Sequence, residues 1–298
     1  DPLASRARLP ETAYRAAREA LERGPVLVQV ARAGYAPHLA CERCREPARC
    51  TACDGPLGVV SRRGVPRCGW CGRSAHAWSC AACGSPRMRL VTVGALRTAE
   101  ELGRAFPKVP VVASSGDAVR ADVPGTPALV VATPGAEPVA EGGYAAALLL
   151  DGNQMLMRPA LRAAEQTLRR WFNAAALVRR ARDGGIVVVT AEHEAAVGAL
   201  VRWDPAGYAE RELVERQSLG LPPAVRSAAV TGPAAAVAAF LADLELPPAV
   251  RVVGPTPLED HEHGPEGEPA PHRALLFFGY GVAGEVTRRL RAARSKAL

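Results

Sequence analysis

The chain has 298 residues, 48% of them hydrophobic, enough for two or three domains with sizeable cores. No apolar run is long enough to span a bilayer, which argues against a membrane-spanning role. Its net charge of +7 is uneven: residues 1–93 carry 15 arginines against 7 acids, whereas the remainder carries 22 basic residues against 23 acids. A local cationic excess of this kind is the footprint of a phosphate-binding surface and points to nucleic acid.

In chain order, Pro10–Arg23 has helical spacing of Ala, Tyr and Leu, and Gly24-Pro25 stops it. Val26–Val30 then reads as a buried strand. Next comes a segment rich in Arg, Gly, Pro and Ser that holds all eight cysteines, as four Cys-x-x-Cys pairs: Cys41/Cys44, Cys50/Cys53, Cys68/Cys71 and Cys80/Cys83. Each pair is the length of a knuckle aiming two thiolates at one tetrahedral ion, so four pairs predict two structural Zn2+ sites with no open coordination position. A disulfide framework fits less well, because no secretory signal pattern is present and no cysteine lies outside the cluster. The expected location is therefore cytoplasmic.

The intervals between knuckles bear on the pairing. Five residues separate Cys44 from Cys50, too few for a comfortable return to one ion, while fourteen separate Cys53 from Cys68, enough for a two-stranded ribbon. A nested arrangement follows, with Cys41, Cys44, Cys80 and Cys83 on one ion and Cys50, Cys53, Cys68 and Cys71 on the other. The alternative is sequential, Cys41–Cys53 on one and Cys68–Cys83 on the other. Among the surrounding residues, Arg62, Arg63, Arg67 and Arg73 are candidate phosphate contacts, and Trp70 and Trp78 candidate stacking surfaces. His76 reads as an exposed loop residue.

Beyond this excursion the expected elements are a strand Leu90–Val93, a helix Thr98–Phe106 and the strands Val109–Ala113, Ala128–Ala132 and Ala145–Leu150. A long helix from Pro159 to about Arg182 and the strand Ile186–Thr190 follow. Short continuous apolar runs alternating with helices predict an α/β domain with a parallel sheet covered on both faces. After Trp203-Asp204-Pro205 come a polar helix Tyr208–Leu219, a strand past Pro222-Pro223, an Ala-rich helix Pro233–Leu244 and a strand near Val250–Val253. A strand Ala274–Phe278 and a last helix complete a β-α-β-β-α order. That is most of an α+β split-βαβ domain, whose last strand is expected beyond Leu298.

Other motifs are weaker. Gly279–Gly284 matches G-x-G-x-x-G but has no following parallel strand ending in an acid. Asp260-His261-Glu262-His263 reads as a solvated acidic loop, and His193 as an ordinary polar residue between acids. Neither lysine fits G-x-x-x-x-G-K-[ST], so ATP is not expected to bind this chain by itself.

The four knuckles, Arg32-Ala33-Gly34-Tyr35-Ala36-Pro37 and Glu210–Pro223 (ERELVERQSLGLPP) together resemble the replication-restart primosomal family of PriA, or primosomal protein N′. The resemblance implies a RecA-like second helicase lobe at residues 1–40 and 90–206, an inserted two-zinc ribbon module at 41–89 and a C-terminal domain at 207–298. It also implies an N-terminal half not contained in this sequence, nested zinc sites and nucleoid association. The implied partners are forked or single-stranded DNA, primosome proteins, single-stranded-DNA-binding protein and the machinery that loads the replicative helicase. The family's helicase motifs are degraded. Ala132-Thr133-Pro134 stands for Gly-Thr-Gln, Asp151-Gly152-Asn153 for the Asp-Ala-Asp-like strand end, and Ala176–Arg182 (ALVRRAR) for the motif that supplies a catalytic arginine. This is similar to the helicase-defective branch of high-GC bacteria. The expectation is a replication-restart protein binding branched DNA without helicase activity. The alternatives are one lobe of an active ATP-dependent 3′–5′ helicase and a zinc-stabilised protein-interaction scaffold.

Overall fold

The computed structural model describes residues 9–32, 38–59, 64–91, 95–158, 160–258 and 271–296. It divides into two compact units, Asp1–Pro205 and Ala206–Leu298. Among the described residues no helix is long and apolar enough to cross a membrane.

The first unit begins with α1 (Glu11–Leu21), which buries Ala13, Ala17, Ala20 and Leu21, and continues into β1 (Val26–Gln29). Four short strands follow in the cysteine-bearing excursion: β2 (His38–Cys41), β3 (Leu57–Gly58), β4 (Arg67–Cys68) and β5 (Met88–Val91). The α/β layer resumes with α2 (Ala95–Ala105), β6 (Val111–Ser114), β7 (Asp122–Val123), β8 (Leu129–Ala132), β9 (Val139–Ala140) and β10 (Ala146–Leu149). It ends with α3 (Gly152–Leu156), α4 (Ala163–Ala176), β11 (Ile186–Val189) and α5 (Glu194–Arg202).

Five strands form one parallel sheet in the order β11-β10-β1-β8-β6. The three central strands, VLVQ, LVVA and AALL, are buried at every residue, as expected where both faces are covered. Val26, Val28, Leu129, Val131, Ala146 and Leu148 pack on one face against residues of α1 and α2. On the other face Gln29 reaches α4, its Nε2 donating to the Arg170 carbonyl and to Glu137 Oε1.

Two expectations need correction. The apolar run at Leu90 belongs to the excursion and not to the parallel sheet: β5 pairs antiparallel with β2, with Cys41 opposite Met88. The helix expected to reach Arg182 stops at Ala176, because the chain turns to pair with the strand entry at Tyr144. Tyr144 N donates to Leu177 O at 3.0 Å and Arg179 N to Tyr144 O at 2.9 Å. Arg179 then locks this turn: its Nε donates to the carbonyls of Gly142 and Gly143, both at 3.1 Å, and its Nη1 to Arg23 O at 2.9 Å. Arg179→Ala is expected to cost about 1–3 kcal/mol, the range for losing hydrogen bonds to a charged donor, read as a lower thermal midpoint of the first unit. His193 is the N-cap of α5, its Nδ1 accepting from Ala196 N at 3.2 Å.

The second unit comprises α6 (Pro205–Leu219), β12 (Arg226–Gly232), α7 (Ala234–Ala242), β13 (Arg251–Pro257), β14 (His272–Phe278) and α8 (Ala283–Lys296). The sheet order is β12-β14-β13, with β14 antiparallel to both neighbours, the split-βαβ arrangement. Leu276 and Phe278 of β14 cluster with Val286 of α8 and with Leu244, while Ser227, Ala229 and Thr231 on the opposite face of the sheet are exposed among the described residues. The sequence loop 260–263 lies outside the described residues.

Candidate metal centres

The excursion carries few apolar residues, and its core is correspondingly small. Leu39, Ala48, Leu57 and Trp78 are its buried non-cysteine members, and Cys41, Cys50, Cys68 and Cys80 complete the cluster. So little area does not hold a segment of this length without a further constraint.

Backbone geometry supplies four copies of one turn. In each knuckle the first cysteine's N–H donates to the carbonyl five residues on: Cys41 to Glu46, Cys50 to Gly55, Cys68 to Arg73 and Cys80 to Ser85, at 2.8–3.0 Å. Its carbonyl accepts from the N–H four residues on, at Arg45, Asp54, Gly72 and Gly84. Those four residues all have left-handed φ, between 58° and 71°. Sequence reasoning missed this position, although Gly72 and Gly84, each one residue past a knuckle's second cysteine, signal it. Ala52 N and Trp70 N also donate to Cys50 Sγ and Cys68 Sγ, at 3.4 and 3.3 Å.

Two hairpin pairings fold the knuckles together. β3 and β4 pair with Leu57 opposite Cys68, which brings the second and third knuckles side by side, and β2 pairs with β5 across the base. The thiols gather into two quartets, Cys41/Cys44/Cys80/Cys83 and Cys50/Cys53/Cys68/Cys71, each with its sulfurs within 4.8 Å of one another. This is the nested grouping; the sequential alternative is not formed. Cross-knuckle sulfurs approach at 3.5 Å for Cys41–Cys83 and Cys44–Cys80, 3.7 Å for Cys50–Cys71 and 3.4 Å for Cys53–Cys68. A disulfide requires about 2.05 Å, whereas four sulfurs around one zinc at its usual bond length stand about 3.8 Å apart. The donor set and spacing therefore fit a tetrahedral thiophilic ion. In the outer quartet Cys41 and Cys80 are buried and Cys44 and Cys83 half-buried, whereas the inner quartet leaves Cys53 and Cys71 exposed.

The thiol electrostatics agree. The Cys44 backbone N–H, opposed by burial and helped by Cys83, lowers Cys41 to about 6. The Ala52 N–H leads in lowering Cys50 to about 7. Their neighbours move the other way. At Cys44 the Glu46 N–H acts downward, but burial and the sulfurs of Cys83, Cys80 and Cys41 push it up to about 12. At Cys53 the Gly55 N–H acts downward, and Cys68, Cys71, burial and Cys50 push it up to about 12. One thiolate forms readily in each quartet and the next is opposed by its neighbours, a conflict that a central divalent cation removes.

The candidate DNA contacts fare unevenly. Arg67, Arg73 and Trp70 are exposed, Trp70 at 55%. Trp78 is not available for stacking: it is buried in the module core, and its Nε1 donates to Arg49 O at 3.0 Å. The expectation that it offers a face to bases is corrected accordingly. Arg62 and Arg63 lie outside the described residues. His76 belongs to neither quartet.

Residues 217–298 match the family described as Primosomal protein N C-terminal domain. Over 281 residues, 93% of this chain, the sequence is 54% identical to the "Probable replication restart protein PriA" of Mycobacterium leprae strain TN. Over 278 residues, 91% of this chain, it is 53% identical to the protein of the same name from Mycobacterium tuberculosis H37Rv. The chain spans only 43% and 42% of the length of these two relatives. With cysteine quartets, parallel sheet and C-terminal domain in view, these matches show that residues 217–298 carry the primosomal protein N C-terminal domain and that nearly the whole chain is similar to a part of proteins named replication restart protein PriA.

Proposed function

We propose that the two thiol quartets hold two zinc ions and thereby shape an arginine-rich module that grips forked or single-stranded DNA during replication restart. The observation that carries this reading is the pair of four-thiol clusters set in a segment, residues 38–91, with nine arginines against three acids. Arg67 and Arg73 are the phosphate contacts and Trp70 the exposed ring for a base. On this reading the parallel-sheet layer is a RecA-like second helicase lobe that serves as scaffold. Primosome proteins, single-stranded-DNA-binding protein and the helicase-loading machinery are its partners at the nucleoid.

The chain contributes no nucleotide chemistry in this proposal. Arg179, in the segment that stands for the arginine-supplying motif, is held by three backbone carbonyls of its own unit. Asp151, at the strand end where the family has its acidic motif, accepts from Ala31 N at 3.1 Å through Oδ2. Phosphoryl transfer depends on charge placed freely at the γ-phosphate, and these groups are committed to the fold. DNA-stimulated ATP hydrolysis by the longer protein is expected to be absent; finding it would restore the active-helicase alternative.

Fork-DNA affinity measured against salt concentration tests the DNA contact. Log affinity should fall linearly with log salt, and Arg67→Glu and Arg73→Glu should each reduce the slope by about 1. An affinity indifferent to ionic strength overturns the reading.

A further inference from the structure

The two quartets differ in how their sulfurs meet solvent. No thiol of the outer one is fully exposed, whereas in the inner one Cys53 and Cys71 are exposed and Cys50 and Cys68 buried. Exposed and buried members are matched across the hairpin. Cys53 Sγ lies 3.4 Å from Cys68 Sγ, and Cys71 Sγ lies 3.7 Å from Cys50 Sγ. The pairing of β3 with β4, which sets Leu57 opposite Cys68, holds the two knuckles in this relation. Each sulfur that a soluble reagent can reach therefore has a shielded sulfur of the opposite knuckle beside it. That is the arrangement of an attacking and a resolving cysteine, in which a sulfenic acid formed at the surface is captured as a disulfide before it oxidises further. The outer quartet has similar cross-knuckle approaches, both 3.5 Å, so access and not spacing separates the two.

Cys68 also ties the chemistry to an exposed side chain. Its Sγ accepts from Trp70 N at 3.3 Å and from Cys71 N at 3.5 Å, two donors that suit a thiolate. Trp70 itself is 55% exposed. A disulfide sulfur carries no charge, and reaching the roughly 2.05 Å of an S–S bond draws Cys68 Sγ toward Cys53. Both hydrogen bonds weaken, and the turn that carries Trp70 loses its anchor.

We propose, on the zinc assignment made above, that the inner quartet is an oxidative modification site. Hydrogen peroxide, or a related two-electron thiol oxidant, joins Cys53 to Cys68 there, opens the inner zinc site and frees the Trp70 turn, while the outer quartet stays closed. The Cys53 thiolate attacks one peroxide oxygen: the S–O bond forms, the O–O bond breaks, and the hydroxide released takes up a proton to become water. The Cys68 thiolate then attacks the Cys53 sulfur: the S–S bond forms, the S–O bond breaks, and the departing hydroxide becomes a second water with a second proton. The two sulfurs lose two electrons and the peroxide gains them. Two of the four donors are thereby removed, and Cys50 and Cys71 alone do not close a zinc site.

The test uses the full chain. Native mass spectrometry counts the ions before peroxide is added and follows them during treatment. Differential alkylation with peptide mapping identifies which cysteines have joined, and amide exchange is read at Trp70 and Cys71. Two ions are expected at the outset, passing to a one-ion species in which Cys53 is bonded to Cys68 and all four outer thiols still alkylate. The Trp70 and Cys71 amides should exchange faster in that species, and dithiothreitol with added zinc should restore the two-ion form. Retention of both ions, oxidation of the outer thiols first or at the same rate, or a first bond between any other pair overturns the site. So does a Cys53–Cys68 bond that leaves the two amides as slow as before. Fewer than two ions in the untreated chain would overturn the zinc assignment, and the opening of the inner site with it, whereas two ions that withstand peroxide overturn the modification site alone.

Discussion

Stripped of metal by EDTA, the chain is expected to lose the structure of the cysteine-bearing excursion while its parallel sheet stays folded. Amide hydrogen exchange is the direct measurement. Amides of Leu57 and Cys68, hydrogen-bonded within the module, should exchange rapidly after chelation, while those of β1, β8 and β10 stay protected. The magnitude follows from the composition of the module. Four buried non-cysteine side chains form its core, whereas a structural zinc site contributes roughly 10 kcal/mol or more of apparent folding free energy. Metal removal also leaves each quartet with thiols that resist ionising together, as the opposite displacements of Cys41 and Cys44 show. Intrinsic fluorescence gives a second readout, since Trp78 passes from the module core into water. A module that keeps its slow amides without metal would remove the basis for assigning zinc to these thiols.

The second large effect concerns Gly55. A Cβ at this position would stand 2.7 Å from Cys68 Sγ and 2.9 Å from two ring atoms of Trp70, closer than real Cβ atoms approach. The obstruction involves a quartet sulfur whose place is fixed by two backbone N–H donors, Trp70 N and Cys71 N, so it does not yield as a flexible side chain would. Gly55→Ala is expected to displace Cys68 and abolish the inner site, and native mass spectrometry should report one bound ion instead of two. Gly84→Ala is the informative contrast. Nothing lies within 4 Å of its added carbon, so only its φ of 68° is penalised, at about 1–2 kcal/mol. That variant should keep both ions and show a modest loss of stability. Two ions in Gly55→Ala would mean that the inner quartet tolerates a shift of Cys68.

The central strands were legible because burial on both faces leaves an unbroken apolar run, and VLVQ, LVVA and AALL are such runs. The quartets were legible because knuckle spacing restricts which thiols can meet. The errors arose where the deciding partner is distant in sequence. Leu90 reads as a sheet strand, but whether it joins the parallel sheet or the excursion is decided by β2, about fifty residues upstream. Leu177-Val178-Arg179 continues an apolar pattern, yet pairing with Tyr144 ends the helix. Trp78 has no periodicity around it, and only the folded module reveals its packing in one core with Leu39 and Leu57. The arginine–aromatic pair of Arg251 and Phe277 joins residues on two strands and 26 positions apart in sequence, and nothing near either residue announces it.

The unequal covering of the two quartets sets an order of events. With Cys53 and Cys71 open to solvent and every outer sulfur at least partly shielded, competing ligands would reach an ion in the inner quartet first if both quartets are loaded as proposed. Demetallation therefore passes through a half-loaded species in which Cys41, Cys44, Cys80 and Cys83 still staple the two ends of the excursion to each other. Reloading such a species closes a shorter, pre-tethered loop, so the second capture is entropically easier than the first.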